Sequence, residues 1–211
     1  MEKKLCLILY LLLALFIYSE EKVIDITMLD EYQLQPLQEG DELVSKKIGT
    51  KQGFELEFSV KDINGNRKIL GKFMYFSGWI TVCSNNVVYF SISNSKNNII
   101  PSIYKYDVKK GKIQRIINAL LFTSTEDGRY ICYSEPWQIK KEYKHLVSYW
   151  YIFDTISGKS ANIVNEKSLK NYEINGAPKF DKTSYSFLLE VGYDNVVVET
   201  LAFNPTSLNY E

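Results

Sequence analysis

Four segments of this 211-residue chain follow one pattern, in which a strand-like run reaches an acidic residue and then enters a turn. The segments are Phe58–Arg67, Tyr104–Ile113, Tyr151–Lys159 and, less clearly, Val197–Asn204. The acidic residues are Asp62, Asp107, Asp154 and Glu199, at separations of 45, 47 and 45 residues. A near-constant period of about 45 residues is typical of repeats that each form a four-stranded blade. It constrains the fold more than any other feature of the chain.

The residues around each acidic position fit a hairpin turn. An Asp carboxylate at a strand end accepts hydrogen bonds from backbone N–H groups of the turn that follows. A glycine three or four residues later adopts the positive φ that a short hairpin loop needs. Asp62 and Gly65, Asp107 and Gly111, and Asp154 and Gly158 form three such pairs. We therefore predict that these six residues are structural, with the three turns at one end of the molecule.

The rest of the sequence favours strands. It contains 16 Tyr and 11 Phe but only 5 Pro, and from Gly53 onward short apolar runs alternate with turn residues. Together with the period, this predicts an all-β fold of antiparallel four-stranded meander repeats of about 45 residues. The arrangement is β-propeller-like, with about four blades in a ring that is closed or incomplete. A β-sandwich is the alternative.

One hairpin carries a resemblance to a known family. The segment Phe122–Ser134, with Asp127-Gly128 at its turn, resembles the "SPDGRYIAYS" hairpin of TolB-like and related WD40-type propellers. Degraded counterparts occur at Val82–Ser91 and Ala177–Leu189, so the similarity extends over about residues 50–205. It implies a propeller scaffold and a role in protein–protein interaction.

The N-terminus has the pattern of a secretory signal peptide. Lys3 and Lys4 precede the apolar run Leu5–Tyr18, and Ser19 offers a small residue for cleavage. We therefore predict a signal peptide over residues 1–19, an acidic lead-in over residues 20–50 and the repeat domain over residues 51–211. The protein is then exported, to the periplasm or outside the cell. An uncleaved N-terminal membrane anchor is the alternative.

Two cysteines remain after the signal peptide, Cys83 and Cys132, each within a strand-like run. In an exported protein the two thiols can form a disulfide. Alternatively, both are small buried side chains, as free cysteines often are. The sequence leaves both interpretations open.

Composition argues against several function classes. Lys and Arg balance Asp and Glu at 25 each, so the chain lacks the basic excess typical of nucleic-acid binding. The only histidine, His145, has polar neighbours, and no recognisable nucleophile, zinc or phosphate-binding motif is present. We predict no cofactor and no metal site. An extracytoplasmic hydrolase or lyase that uses two carboxylates is kept as the alternative function.

Binding has better support than catalysis. Two connections are longer than the turns around them, Ser93–Pro101 and Glu135–Leu146, and alternate connections of a meander emerge at one end. Loops on a rigid scaffold often bind partners. We predict that the second loop contributes the aromatic anchors Trp137 and Tyr143 and the basic residues Lys140, Lys141 and Lys144. The predicted function is non-enzymatic binding of a protein or an envelope polymer. A third hypothesis is a surface-assembly subunit that pairs through an open, apolar edge strand.

Overall fold

The computed structural model describes the greater part of the chain after the N-terminal segment. The described residues are 23–24, 29–51, 53–75, 80–83, 86–92, 101–119, 121–135, 149–164, 173–174, 176–193 and 196–210. Over these residues the secondary structure consists of seventeen strands and one short 3-10 turn, Pro205–Ser207. This part of the chain contains no helix with the length and apolarity needed to cross a lipid bilayer.

Sheets 1 and 2 come from the N-terminal half. Sheet 1 has the order β1-β5-β4-β3, with strands β1 (Val23–Ile24), β3 (Glu42–Thr50), β4 (Gly53–Lys61) and β5 (Arg67–Tyr75). Sheet 2 has the order β2-β9-β8-β7-β6, with strands β2 (Glu31–Gln33), β6 (Ile80–Cys83), β7 (Val87–Ile92), β8 (Ser102–Asp107) and β9 (Lys112–Asn118). All described pairs are antiparallel except β1 with β5.

Sheets 3 and 4 come from the C-terminal half. Sheet 3 is a meander of strands β10 (Phe122–Ser124), β11 (Tyr130–Ser134), β12 (Trp150–Asp154) and β13 (Lys159–Val164). In sheet 4 the central strand β16 (Ser186–Tyr193) pairs with β17 (Val196–Phe203) on one side. On its other side it pairs with β14 (Glu173–Ile174) and β15 (Lys179–Asp181). Each sheet is therefore built mainly from strands consecutive in sequence.

The sheets stack face to face in chain order, because strands in sheets 2 and 3 are apolar on both faces. In β7, Phe90 packs with Phe58 of sheet 1, while Tyr89 points to the opposite face and packs with sheet 3. In β11, Ile131 faces sheet 2, whereas Cys132 faces sheet 4 and packs with Phe187 and its neighbours. A two-sheet sandwich does not bury central sheets on both faces, so the β-sandwich alternative is wrong.

The two ends of the stack differ. The turns from β4 to β5, β8 to β9 and β12 to β13 lie at one end, which we call the turn end. Contacts between neighbouring sheets hold this end together. Tyr89 donates from its hydroxyl to the Gly128 carbonyl at 2.9 Å, and Tyr185 donates to the Asp127 carboxylate at 3.2 Å. At the opposite end, the loop end, lie the connections from β3 to β4, β7 to β8, β11 to β12 and β16 to β17. The innermost strand β10 also contacts β6 and β15, as expected for blades around an axis.

The fourth repeat differs from the prediction. Glu199 lies within β17, paired with Val191, and does not end a strand. The turn position is taken by Asn204, whose side-chain oxygen accepts from the Thr206 N–H at 2.9 Å. An Asn oxygen accepts the same turn hydrogen bond as an Asp oxygen, so an acidic residue is not required there.

The segment over residues 20–50 also contributes more structure than a lead-in. Its β3 is a nine-residue strand of sheet 1, and β2 adds a fifth strand to sheet 2. Charges at Glu42, Lys46 and Lys47 make β3 polar in sequence, because most of this edge strand faces water.

Cys132 is a buried free thiol, so the disulfide alternative is not realised. Burial raises the pKa of this thiol well above its usual range.

Candidate binding surface

The three predicted Asp residues act as acceptors in their turns. Asp62 accepts from the N–H groups of Asn64 and Asn66 at 2.9 and 2.8 Å. Asp107 accepts from the Lys110 N–H at 3.1 Å. Asp154 accepts from the Ile156 N–H at 3.0 Å. The glycines that follow, Gly65, Gly111 and Gly158, have φ values of 82°, 65° and 72°. The three glycines therefore lie in the turns, and the three Asp residues lie at or directly after the strand ends that lead into them, where their side chains accept from the turn backbone.

The pKa values of these carboxyl groups reflect the turn contacts. The hydrogen bond from the Asn66 side chain, supported by backbone N–H groups, lowers the pKa of Asp62. For Asp154, burial acts to raise the pKa. The Ile156 N–H, the Ser157 side chain and the nearby Arg129 outweigh burial and lower it. Both groups are therefore ionised at neutral pH, and both stabilise the fold in that form.

The hairpin from β10 to β11 connects three sheets at the turn end. Asp127 accepts from the Thr125 hydroxyl at 2.5 Å and from the Arg129 N–H at 3.1 Å, in addition to Tyr185. Burial acts to raise its pKa, but these hydrogen bonds lower it. Thr155 then links this hairpin to the Asp154 turn, since its N–H donates to the Arg129 carbonyl at 2.9 Å. The motif that carried the resemblance is thus a junction between sheets 2, 3 and 4.

The N-terminal segment covers part of the same end. The Leu34 N–H donates to the Gly111 carbonyl at 2.6 Å, and the Leu37 N–H donates to the Val108 carbonyl at 2.9 Å. A β-carbon on Gly111 would lie 2.3 Å from the Leu34 carbonyl oxygen. Gly111 is thus required for its positive φ and for the close approach of the N-terminal segment. The first requirement is local to the turn, whereas the second arises from a tertiary contact.

At the turn end, ionisable groups are largely engaged in structure. Each described carboxyl group with a shifted pKa has it lowered, as shown by Asp62, Asp127, Asp154 and Asp181. A carboxylic acid that donates a proton in catalysis needs a raised pKa. Among the described residues, no group of three or more His, Cys, Asp or Glu could hold a metal ion. The arrangement observed here suits turn stabilisation.

The loop end is where the two long connections begin and return. Their bases are the cross-strand pairs Ile92 with Ser102 in sheet 2 and Ser134 with Trp150 in sheet 3. The two sheets pack directly on each other through Tyr89, Ile103, Phe122, Ile131 and Tyr133. Two long loops therefore leave adjacent sheets at the same end of the stack. The hairpin from β16 to β17 reaches this end as well, with exposed Tyr193 and Val196.

The side chains predicted to make the binding contacts lie outside the described residues. This holds for the aromatic and basic residues of the second loop, namely Trp137, Lys140, Lys141, Tyr143 and Lys144. It also holds for residues 93–100 of the first loop, for His145 and for the predicted signal peptide. The assignment of these residues to a binding site stays a prediction.

Comparison with known proteins identifies the fold but not a family. No family model and no curated protein matches the chain. Among solved structures, it is similar to the tricorn protease, with a TM-score of 0.51 and 16% identity over 80% of this chain and 16% of that one. TolB from Acinetobacter baumannii gives a TM-score of 0.40 with 14% identity, over 81% of this chain and 46% of that one. The β-propeller domain of the Trilobed protease from Pyrococcus furiosus gives 0.39 with 11% identity, over 81% and 57%.

The chain thus spans less than two thirds of each of these structures. At such low identity the similarity concerns the fold alone. Together with the stack of consecutive meanders, the similarity to the tricorn protease confirms the prediction of an all-β, propeller-like fold.

Proposed function

We propose that this protein is an exported, non-enzymatic binding module, and that it holds a protein partner at the loop end. The observation that carries the proposal is the common position of the two long loops. Their bases lie on adjacent, tightly packed sheets, at the end opposite the structural turns. A rigid scaffold with long loops on one side is a frequent arrangement for recognition.

The chemistry of the second loop suits an acidic protein surface. Trp137 and Tyr143 offer large rigid contact areas, and residues of this type contribute strongly to interface energetics. Lys140, Lys141 and Lys144 add three positive charges to one loop. Such charges accelerate association with an acidic partner, and salt screens the effect. We therefore expect the interaction to weaken as ionic strength rises.

The sharpest test compares alanine substitutions of two large apolar side chains, one in the second long loop and one in a turn at the turn end. Trp137→Ala removes the proposed anchor at the loop end, while the matched control Ile156→Ala changes an exposed residue of the Asp154 turn. Each tagged full chain is used to capture partners from the envelope fraction of the exporting cell. We expect Trp137→Ala to lose the partners that wild type retains, and Ile156→Ala to keep them.

Two results would overturn the assignment. If Trp137→Ala keeps a native circular-dichroism spectrum and every partner of the wild type, the second loop is not the site. If Ile156→Ala loses the same partners, binding involves the turn end.

Export is tested separately by N-terminal sequencing of the protein outside the cytoplasm, which should begin near Glu20. An intact Met1 on cytosolic protein contradicts it.

Carboxylate-dependent hydrolysis remains the second candidate, with less support. It needs one carboxyl group of raised pKa close to an ionised one, and the described carboxyl shifts run in the opposite direction. Assay of the purified chain against envelope polysaccharides distinguishes the two functions. Turnover by the wild type would replace the binding proposal.

A further inference from the structure

The edge strand β17 stands out from the rest of the surface. It pairs with β16, and no other strand among the described residues pairs with it. Tyr193, Val196, Val197 and Val198, at the tip and along this strand, are 47–54% exposed. Among the described residues, Val196, Val197 and Val198 are the only three consecutive large apolar side chains that are all exposed. An open strand edge beside exposed apolar residues is a surface on which another strand can pair.

The described chain does not continue into a strand beside β17, because it turns away after Phe203. In sheets 2 and 3 the strand that ends in Asp is followed by a fourth strand, β9 or β13. In sheet 4 the Asn204 turn leads into Pro205–Ser207, and the chain then crosses to sheet 3. Tyr210 stacks on Tyr130 with ring centroids 5.9 Å apart, and its hydroxyl donates to the Pro205 carbonyl at 2.7 Å. Residues 205–210 thus pack against sheet 3, and none of the described strands pairs with the outer edge of β17.

Two other long edge strands carry protective charges that β17 lacks. β3 includes Lys46 and Lys47, and β13 includes Lys159. Lysines on an edge oppose pairing with another chain. The eight residues of β17 contain neither Lys nor Pro, and their only charge is Glu199. Its composition therefore favours pairing.

The described N-terminal strands are not available as occupants, since β1 pairs with β5 and β2 with β9. A second copy of β17 suits the edge by charge and shape. A two-fold axis perpendicular to the sheet places directly opposed residues of the two copies on the same side of the sheet. In an antiparallel pair centred on Thr200, the two Thr200 residues face each other, each Val198 faces an Ala202 and each Val197 faces a Phe203. Each Glu199 then faces a Leu201, and no carboxylate faces another, which would be destabilising.

We propose that β17 pairs antiparallel with β17 of a second copy, so that two sheets 4 join into one continuous sheet across a two-fold axis. Such an interface uses the same patch on both subunits, as in most soluble dimers. The proposal goes beyond the binding function above, because it engages sheet 4 and not the long loops of sheets 2 and 3.

Sedimentation velocity of the full chain over a range of concentrations tests the association. We expect a monomer–dimer equilibrium for the wild type and a monomer for Val197→Lys, which puts a charge on the edge. The control Ile156→Lys places the same change on another exposed apolar residue at the turn end and should dimerise like wild type. A wild type that stays monomeric throughout, or a Val197→Lys variant that dimerises equally, contradicts the proposal.

Cysteine pairing tests the register. Thr200→Cys is oxidised alone, and Glu199→Cys is mixed with Leu201→Cys before mild oxidation. We expect a disulfide-linked dimer from at least one of these two samples, because one of two successive cross-strand pairs is the closer, non-hydrogen-bonded kind. Glu199→Cys alone and Leu201→Cys alone should stay unlinked like the wild type, since neither position faces its own copy across the axis. Cross-linking in neither sample, or equal cross-linking of Glu199→Cys alone, contradicts this register.

Discussion

A single oxygen acceptor at the first turn position recurs in all four sheets. Asp62, Asp107, Asp154 and Asn204 each accept a backbone N–H two to four residues later in the chain. The interaction is local, so the residue type and a nearby glycine were enough to predict three of the four positions. The acidic pattern places the fourth position at Glu199, because Asn204 carries no charge. The sequence Asn204–Ser207 carries the usable signal, an Asn followed by Pro and two hydroxyl residues.

The Asp154 turn gives the first prediction at the residue scale. Asp154→Ala leaves the Ile156 N–H and Arg129 without their partner, and we expect a loss of about 2 kcal/mol in the free energy of unfolding. Asp154→Asn keeps an oxygen acceptor, so its loss should be about half as large. Urea denaturation at neutral pH measures both. If Asp154→Asn is as unstable as Asp154→Ala, the hydrogen bond accepted by this side chain does not contribute to the free energy of unfolding.

The pH dependence of stability follows from the same group. The folded state lowers the pKa of Asp154, so the ionised form favours folding above the ordinary carboxyl pKa of about 4. This contribution is lost as the pH falls through the lowered, folded-state pKa. We expect the stability difference between wild type and Asp154→Asn to shrink between about pH 7 and about pH 3. If the stability difference between wild type and Asp154→Asn grows on acidification, the folded state raises the pKa of Asp154, contrary to this prediction. Unfolding curves at the two pH values provide the measurement.

Among the elements, the strands predicted least well are β2 and β3, which lie in the N-terminal segment. Periodic apolar runs predicted β4, β7, β8, β12 and β16, because these strands lie inside the stack and must be apolar. β3 is an edge strand with charged residues, and β2 spans only Glu31–Gln33. Their positions depend on pairing with strands distant in sequence, and local composition does not report such pairing. The sequence therefore indicates only an acidic lead-in over residues 20–50, whereas this segment contributes strands to two sheets.

Two glycine variants test how much the packing of residues 34–37 on Gly111 contributes to the free energy of unfolding. Gly158 has a φ of 72° and open space around it, so Gly158→Ala should cost only the backbone strain, about 1 kcal/mol. Gly111→Ala combines similar strain with a clash against the Leu34 carbonyl. We expect it to cost about 1–2 kcal/mol more than the control. It should also expose residues 34–37 to proteolysis. Equal costs, with no new cleavage, show that the segment does not pack on Gly111.

At the scale of the whole molecule, the sheets formed by successive repeats stack in chain order. Because they stack in this way, equivalent turns of different sheets lie at the same end of the molecule. Apolar residues on alternate sides of β7 and β11 bury both faces of the central sheets, so neighbouring repeats must stack side by side. This places the Asp turns together at one end and the bases of the long loops at the other. The sequence predicted this separation from the 45-residue period. An open, apolar edge strand is the third hypothesis from the sequence, but the sequence does not place that edge at β17, since the path of residues 205–210 depends on tertiary contacts with sheet 3.

The order of the stack is the central claim, and long-range NOEs in solution test it most directly. We predict NOEs from the Tyr89 ring to Gly128, linking sheets 2 and 3, and from the Tyr185 ring to the side chains of Asp127 and Thr125, linking sheets 3 and 4. Cross-strand NOEs between Ile131 and Phe153 provide the reference within one sheet. The account is contradicted if the reference NOEs appear while both inter-sheet sets are absent. NOEs that place sheet 2 directly against sheet 4 would contradict it as well.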